Sequence, residues 1–149
     1  DCARQLSEQE WSFSPSARKQ AALLFEAVGE VQRVAGEAFT QADAALAAQV
    51  EPLEETVDRM CDLMREEHIT RLKAGECGIE PGLLFLDVLT NTERISDHCS
   101  NIAARLIGDE TDDPDMHARK HSLLAGKDAA FTARLATYEQ RYLAPLGEK

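Results

Sequence analysis

The sequence predicts an all-α domain, namely an antiparallel three-helix bundle with an additional C-terminal helix. Ala, Leu, Glu, Arg and Gln, which favour helices, dominate a chain of 149 residues that is 44% hydrophobic and only 5% aromatic. Three long segments repeat their apolar residues with the period of a helix, and no segment alternates as a strand does. The length suits one compact domain that buries a core of its own.

Each long segment has start and stop signals for a helix. The first helix is predicted from about Pro15 to Leu46, because Ser14 can cap it and proline suits a first turn. The second runs from about Gln49 to Ala74 and stops at Gly75. The third runs from Pro81 to about Ile107, and we expect Ile95 to be almost fully buried at the centre of its apolar stripe. That stripe consists of Leu84, Val88, Thr92, Ile95, Cys99, Ile102 and Leu106.

These helices divide the chain into four regions. Residues 1–13 are predicted to be an N-terminal tail, and residues 14–107 the three-helix bundle. Residues 108–126 are predicted to form an acidic linker with a short helix at about residues 116–124. Residues 127–149 form the C-terminal helix and tail, with the helix ending before Pro145.

Charge and cysteine usage exclude several classes of function. Sixteen Lys and Arg against 27 Asp and Glu give a net charge of −11, which disfavours binding to nucleic acid or to an anionic membrane surface. No apolar run reaches the ~18 residues of a membrane span and no signal peptide is visible, so we expect no membrane insertion. The four cysteines form no Cys-x-x-Cys pair, which indicates reduced thiols in a cytosolic protein.

Residues 90–103 gather polar groups that can bind a metal. Glu93, Asp97, His98 and Asn101 fall within this short stretch. Glu93 and Asp97 are one helical turn apart, where two like charges repel each other. No lysine lies between Lys73 and Lys120, so a bound cation would relieve this repulsion.

The second helix carries a matching acidic stripe. Its members are Glu51, Glu54, Glu55, Asp58 and Asp62. If the two stripes face each other, oxygen ligands for a divalent or trivalent metal would converge from two helices. The predicted ligands are Glu93, Asp97, His98, Asn101, Glu54, Glu55 and Asp58. The alternative is that these acids form an ordinary solvated helix face.

Other chemistry has little support in the sequence. No histidine follows a glutamate at the Glu-x-x-His spacing of di-iron bundles. His117 and His121 are one turn apart, but we expect them to be exposed. Cys99 neighbours His98, yet adjacent helical residues point about 100° apart. The turn GECGIEPG lacks the Lys-Ser/Thr of a phosphate-binding loop. We therefore predict no catalytic residue and no enzyme.

The third helix resembles a known family signature. Its residues TERISDHCSNIA are similar to the LERI-x-DH-x-x-NIA helix of PhoU-like domains. The preceding residues EEHITRLKAGEC resemble the version at the C-terminus of bacterial sodium/phosphate cotransporters, and FSPSARKQ resembles the start of its second repeat. The resemblance covers roughly residues 12–107, and more loosely the chain to Tyr142. It implies a three-helix bundle, often doubled in tandem.

The resemblance also implies a function. A cytoplasmic regulatory domain of a sodium-dependent phosphate transporter is expected, on the cytoplasmic side of the inner membrane. Iron or zinc would bind through Glu/Asp-x-x-x-Asp motifs, which Glu93–Asp97 and Glu54–Asp58 match. The expected partners are the transporter's membrane domain or a second PhoU-like repeat, and a homodimer would cover the face left open by a single repeat. A carboxylate-metal enzyme and a purely structural helical module remain the alternatives.

Overall fold

A computed structural model describes residues 13–107 and 129–147. Its elements are α1 (Pro15–Gln41), α2 (Ala44–Ala47), α3 (Val50–Lys73), α4 (Ile79–Ile107) and α5 (Ala129–Tyr138), the last followed by a π-helical turn (Glu139–Leu143) and a 3-10 turn (Ala144–Leu146). No strand occurs in these two ranges, and the all-α prediction is confirmed. The predicted linker with its short helix, most of the N-terminal tail, and His117 and His121 lie outside the described residues.

The three long helices pack against one another in pairs. Their shared core is apolar and fully buried, and its largest members are Phe85, Leu24, Leu53, Met60, Met64 and Leu89. Helix α5 packs on α3, and the π-helical turn after it contacts both α3 and α1. The Tyr142 hydroxyl in this turn donates to Glu30 of α1, and Arg141 pairs with the same carboxylate at 2.9 Å. The C-terminal segment therefore covers the groove between α1 and α3.

The first helix ends earlier than its periodicity predicts. It stops at Gln41 because Ala42 takes a left-handed conformation with φ 51°. The Asp43 backbone N–H then bonds to the Ala38 carbonyl at 3.0 Å, as in a Schellman C-cap. The Asp43 carboxylate caps the short helix α2, accepting from the backbone N–H of Leu46 at 3.1 Å. The prediction of one helix to residue 46 is wrong, because a local cap outweighs a run of apolar residues.

The other helix ends lie close to their predicted positions. Gly75 has φ +72°, and the bond from the Glu76 N–H to the Arg71 carbonyl closes α3. Helix α4 begins at Ile79, two residues before Pro81, which its first turn tolerates. The C-terminal helix is α-helical only to Tyr138, and then widens into the π-helical turn.

Helix α4 is rotated relative to the sequence prediction. Ile95 is 40% exposed and Ile102 43% exposed, so the prediction of a buried Ile95 is wrong. The buried face consists of Gly82, Leu84, Phe85, Leu89, Thr92, Ser96, Ser100, Ala103 and Ala104. From Thr92 onward this face carries only small side chains, which permit a closer approach of neighbouring helices than isoleucines would. The isoleucines therefore lie at the edge of the buried face, on the side opposite Asp97.

Candidate metal centre at the interface of α3 and α4

Two polar contacts between α3 and α4 show how the two helices are aligned. At one end, the Ser100 hydroxyl of α4 donates to the Glu51 carboxylate of α3. Several turns further along α3, Arg65 binds Glu93 of α4 through both of its terminal nitrogens, with Nη1 3.1 Å from Oε1. Residue numbers rise along one helix as they fall along the other, so the two helices are antiparallel. This register places the two acidic stripes opposite each other.

Three carboxylates converge where the stripes meet. Oxygen atoms of Glu54, Asp58 and Asp97 all lie within 4.8 Å of one another. Glu54 is only 1% exposed, whereas Asp58 and Asp97 are half-buried. The sequence correctly predicts that Asp97 faces Glu54 and Asp58 across the two helices. We call these three residues the carboxylate triad.

The triad is electrostatically strained without a cation. Burial raises the pKa of Asp58 from 3.8 to about 7, and the charges of Asp97, Glu93, Glu55 and Asp62 add to this effect in that order. Within the described residues, no donor forms a hydrogen bond with the Asp58 Oδ1 atom. A carboxylate in this position is costly when ionised. The arrangement therefore favours either a proton or a metal ion beside Asp58.

Two predicted ligands are engaged by arginines instead. Glu93 is bound by the two-pronged contact from Arg65. Glu55 pairs with Arg59 at 2.8 Å, and Arg59 also binds Glu139 in the turn after α5. These ion pairs neutralise both carboxylates and tie the helices together. Glu93 and Glu55 therefore flank the triad rather than belong to it.

The remaining two predicted ligands, His98 and Asn101, are not part of the carboxylate triad. His98 is exposed, since it projects about 100° around α4 from Asp97. It does not join the group of convergent carboxylates found among the described residues. Asn101, one turn after Asp97, is half-buried. The structure thus brings three of the seven predicted residues together.

His68 and Arg71 lie outside the sites predicted from the sequence. Both line a cavity of about 300 Å³ at the end of the bundle where α1 and α4 begin. His68 continues the apolar stripe of α3 that includes Met60 and Met64, and all three are buried. A histidine at the end of a buried stripe, followed one turn later by an arginine, is the signal that could have indicated this cavity.

Comparison with known proteins agrees with this architecture. The fold and the site together define the class of protein. It is an all-α bundle domain with facing acidic stripes on its second and third long helices. The PhoU domain model matches residues 22–106, so the chain belongs to the PhoU domain family. This confirms the resemblance seen in the sequence, and PhoU domains are associated with the regulation of phosphate transport.

One curated relative is the phosphate-specific transport system accessory protein PhoU homolog 1 of Thermotoga maritima. It is 26% identical over 106 residues, which cover 71% of this chain and 45% of that protein. The chain thus matches about half the length of this relative. No solved structure is significantly similar to the chain. None of the helices in the described ranges has both the length and the apolar composition needed to cross a bilayer.

Proposed function

We propose that the chain is a regulatory domain of a sodium-dependent phosphate transporter, acting at the cytoplasmic face of the inner membrane. Membership of the PhoU domain family carries this proposal. The Thermotoga relative is named as an accessory protein of a phosphate-specific transport system, which supports the link to phosphate. The residues that resemble cotransporter-fused domains favour the sodium-dependent class. The domain acts by binding its partner and not by turning over a substrate.

Reconstitution tests this role. The chain is co-expressed with the membrane domain of the sodium-dependent phosphate transporter encoded in the same genome, and phosphate uptake into vesicles is measured. We expect the chain to co-purify with the membrane domain and to change the uptake rate. No association, together with unchanged uptake, would refute the proposal. A sodium-coupled transporter for another solute, handled in the same way, is the control.

The carboxylate triad supports metal binding within this role. Carboxylate oxygens are hard ligands suited to iron, manganese, magnesium or zinc. Glu54 and Asp58 come from α3 and Asp97 comes from α4, so a bound ion would join the two helices. Its positive charge would also offset the burial and the neighbouring negative charges that together raise the pKa of Asp58. Further ligands would be supplied by water, because Arg65 holds Glu93 aside.

Thermal unfolding tests the metal centre. Iron, zinc or manganese should stabilise the folded chain by RT ln(1 + [L]/Kd), about 2.7 kcal/mol at a hundredfold excess over Kd. Asp97→Asn should abolish this gain. Asp87→Asn removes an exposed carboxylate from the same helix and should leave the gain intact. An equal loss in both variants would indicate diffuse attraction of cations and no defined site.

An uncovered apolar face supports association with a second bundle. Phe25 and Phe39 of α1 are exposed, and Ile95 and Ile102 of α4 are partly exposed. Helical projection places all four on the adjoining edges of α1 and α4. The C-terminal segment covers the groove between α1 and α3, and within residues 13–107 and 129–147 this face stays exposed. A second copy of the chain, or a second PhoU-like repeat, would bury it.

The mass of the chain in solution tests this association. Light scattering should give about twice 16.4 kDa. Ile95→Glu places a charge on the apolar face and should yield a monomer with an unchanged circular dichroism spectrum. Arg94→Glu changes the charge of an exposed neighbouring residue outside this face and should keep the dimer. A wild-type monomer at tens of micromolar would contradict self-association.

A further inference from the structure

The cavity that His68 and Arg71 line lies at the end of the bundle farthest from Ser100 and Glu51. Its volume is about 300 Å³. Residues of the first turns of α1 and α4, the last part of α3 and the turn between α3 and α4 form its wall. The aromatic rings of Phe13 and Phe85 meet edge to face at 5.4 Å and give it an apolar side. The cavity is separate from the carboxylate triad, since none of the triad residues lines it.

Two helices begin at this cavity. Ser14 caps α1, and its hydroxyl accepts from the Ala17 N–H at 3.2 Å. The Gly78 carbonyl accepts the N–H of Gly82 at 3.1 Å and opens the first turn of α4. Backbone N–H groups in a first turn lack partners within their own helix, and the helix dipole makes this end partly positive. Helix α1 has no acidic residue in its first turn to offset that charge, whereas Glu80 partly offsets it in the first turn of α4.

A buried imidazole in the wall has unused hydrogen-bonding capacity. His68 is 3% exposed, and its ring lies 5.1 Å from the ring of Phe85. No residue in the described part of the chain forms a hydrogen bond with its Nε2 atom. Burial lowers the pKa of His68, and the charge of Arg71 acts in the same direction, while a backbone contact with Gly82 opposes them. The ring is therefore neutral at pH 7 and can donate a hydrogen bond from one nitrogen.

A buried guanidinium supplies the charge. The side chain of Arg71 is 11% exposed, and its Nη1 atom forms an ion pair with Glu67 at 3.6 Å, which is too long for a hydrogen bond. Its Nη2 atom is buried and has no hydrogen-bond partner among residues 13–107 and 129–147. The exposed Arg18 adds a second positive charge to the wall, and Glu76 adds one negative charge. Buried donors without acceptors are unfavourable unless a ligand satisfies them.

We propose that this cavity binds a small tetrahedral oxyanion, and that the anion is inorganic phosphate. Arg71, Arg18 and the two helix starts would attract the negative charge, and His68 would donate to an oxygen atom. A positively lined cavity is otherwise unexpected in a chain with a net charge of −11. The choice of phosphate among oxyanions rests on the proposed function, because phosphate is the solute of the transporter that the domain is proposed to regulate.

Isothermal titration calorimetry of the whole chain with inorganic phosphate tests this proposal. EDTA is present throughout, so that phosphate cannot bind through a metal at the triad. We expect saturable binding that Arg71→Gln weakens at least tenfold. Arg105→Gln removes an exposed charge near the opposite end of α4 and should change the affinity less than twofold. Arg18→Gln alters an exposed side chain that folding does not need, and should weaken binding about threefold even if Arg71→Gln folds poorly.

Three outcomes decide the matter. No binding of phosphate or sulfate at millimolar concentration overturns the proposal, and so does an equal loss in the Arg71 and Arg105 variants. Equal affinity for sulfate supports an oxyanion site but overturns the choice of phosphate. A failed titration would leave association with the transporter unaffected, so the failure of this inference is distinguishable from failure of the proposed function.

Discussion

Replacing Asp58 by asparagine should stabilise the metal-free protein at neutral pH. The substitution keeps the shape of the side chain and removes its charge from a half-buried position beside Glu54 and Asp97. The pKa of Asp58 is about 7 in the folded chain and 3.8 in the reference state. At pH values between 3.8 and about 7, Asp58 therefore holds a proton in the folded state that it has released in the unfolded state. The contribution of Asp58 to the free energy of unfolding is therefore fully present below pH 3.8 and is lost as pH rises through about 7.

The pKa difference sets an upper bound on this loss. A shift of roughly three pKa units at 1.36 kcal/mol each corresponds to ~4 kcal/mol. Because Asp58 is partly accessible to water, we expect a gain of about 1–3 kcal/mol for Asp58→Asn at pH 8. In a chain of this length, each kcal/mol raises the melting temperature by roughly 2–4 °C. The gain should shrink steadily as pH falls from 7 to 4.

Thermal unfolding in EDTA at pH 4, 5, 6, 7 and 8 measures this dependence. The quantity of interest is the difference between Asp58→Asn and wild type, in which the titration of most other groups cancels. Asp87→Asn changes an exposed carboxylate on α4 and should show no comparable trend. If the difference for Asp58→Asn is constant across this range, the raised pKa and the electrostatic strain argued from it are wrong.

Four further substitutions test the packing by urea unfolding. Leu89→Ala should cost ~2–5 kcal/mol because Leu89 is fully buried, whereas Ile95→Ala should cost less than ~1 kcal/mol; equal costs would mean that α4 is rotated differently. Ala42→Gly should add about 0.5–1 kcal/mol, since φ is 51° at this residue, and a loss would contradict the left-handed cap. Gly82→Ala should cost about 1–3 kcal/mol because its new Cβ would lie 3.0 Å from His68 Nε2, and a gain would show that the ring moves aside freely.

Local signals in the sequence were sufficient for the helices themselves. Ser14 caps α1 and Gly75 ends α3 as predicted, because capping depends on residues within one turn of the helix end. The period of the apolar residues also located the three long helices, because this period is a property of residues within a single helix. The facing of Asp97 and Asp58 also followed from sequence, since two antiparallel helices with short connections can pair their acidic stripes in few ways.

The tertiary structure decided which side of each helix faces the core and which carboxylates stay together. Ile95 and Ser96 are neighbours, and periodicity favoured the isoleucine, but close packing of three helices buries the small serine. Arg65 reaches Glu93 and removes it from the triad, a contact between residues far apart in sequence. His68 and Arg71 likewise meet the start of α1 only after folding. Sequence alone indicates the helix periodicity and most of the helix ends, whereas rotation, ion pairing and cavities depend on all the helices packing at once.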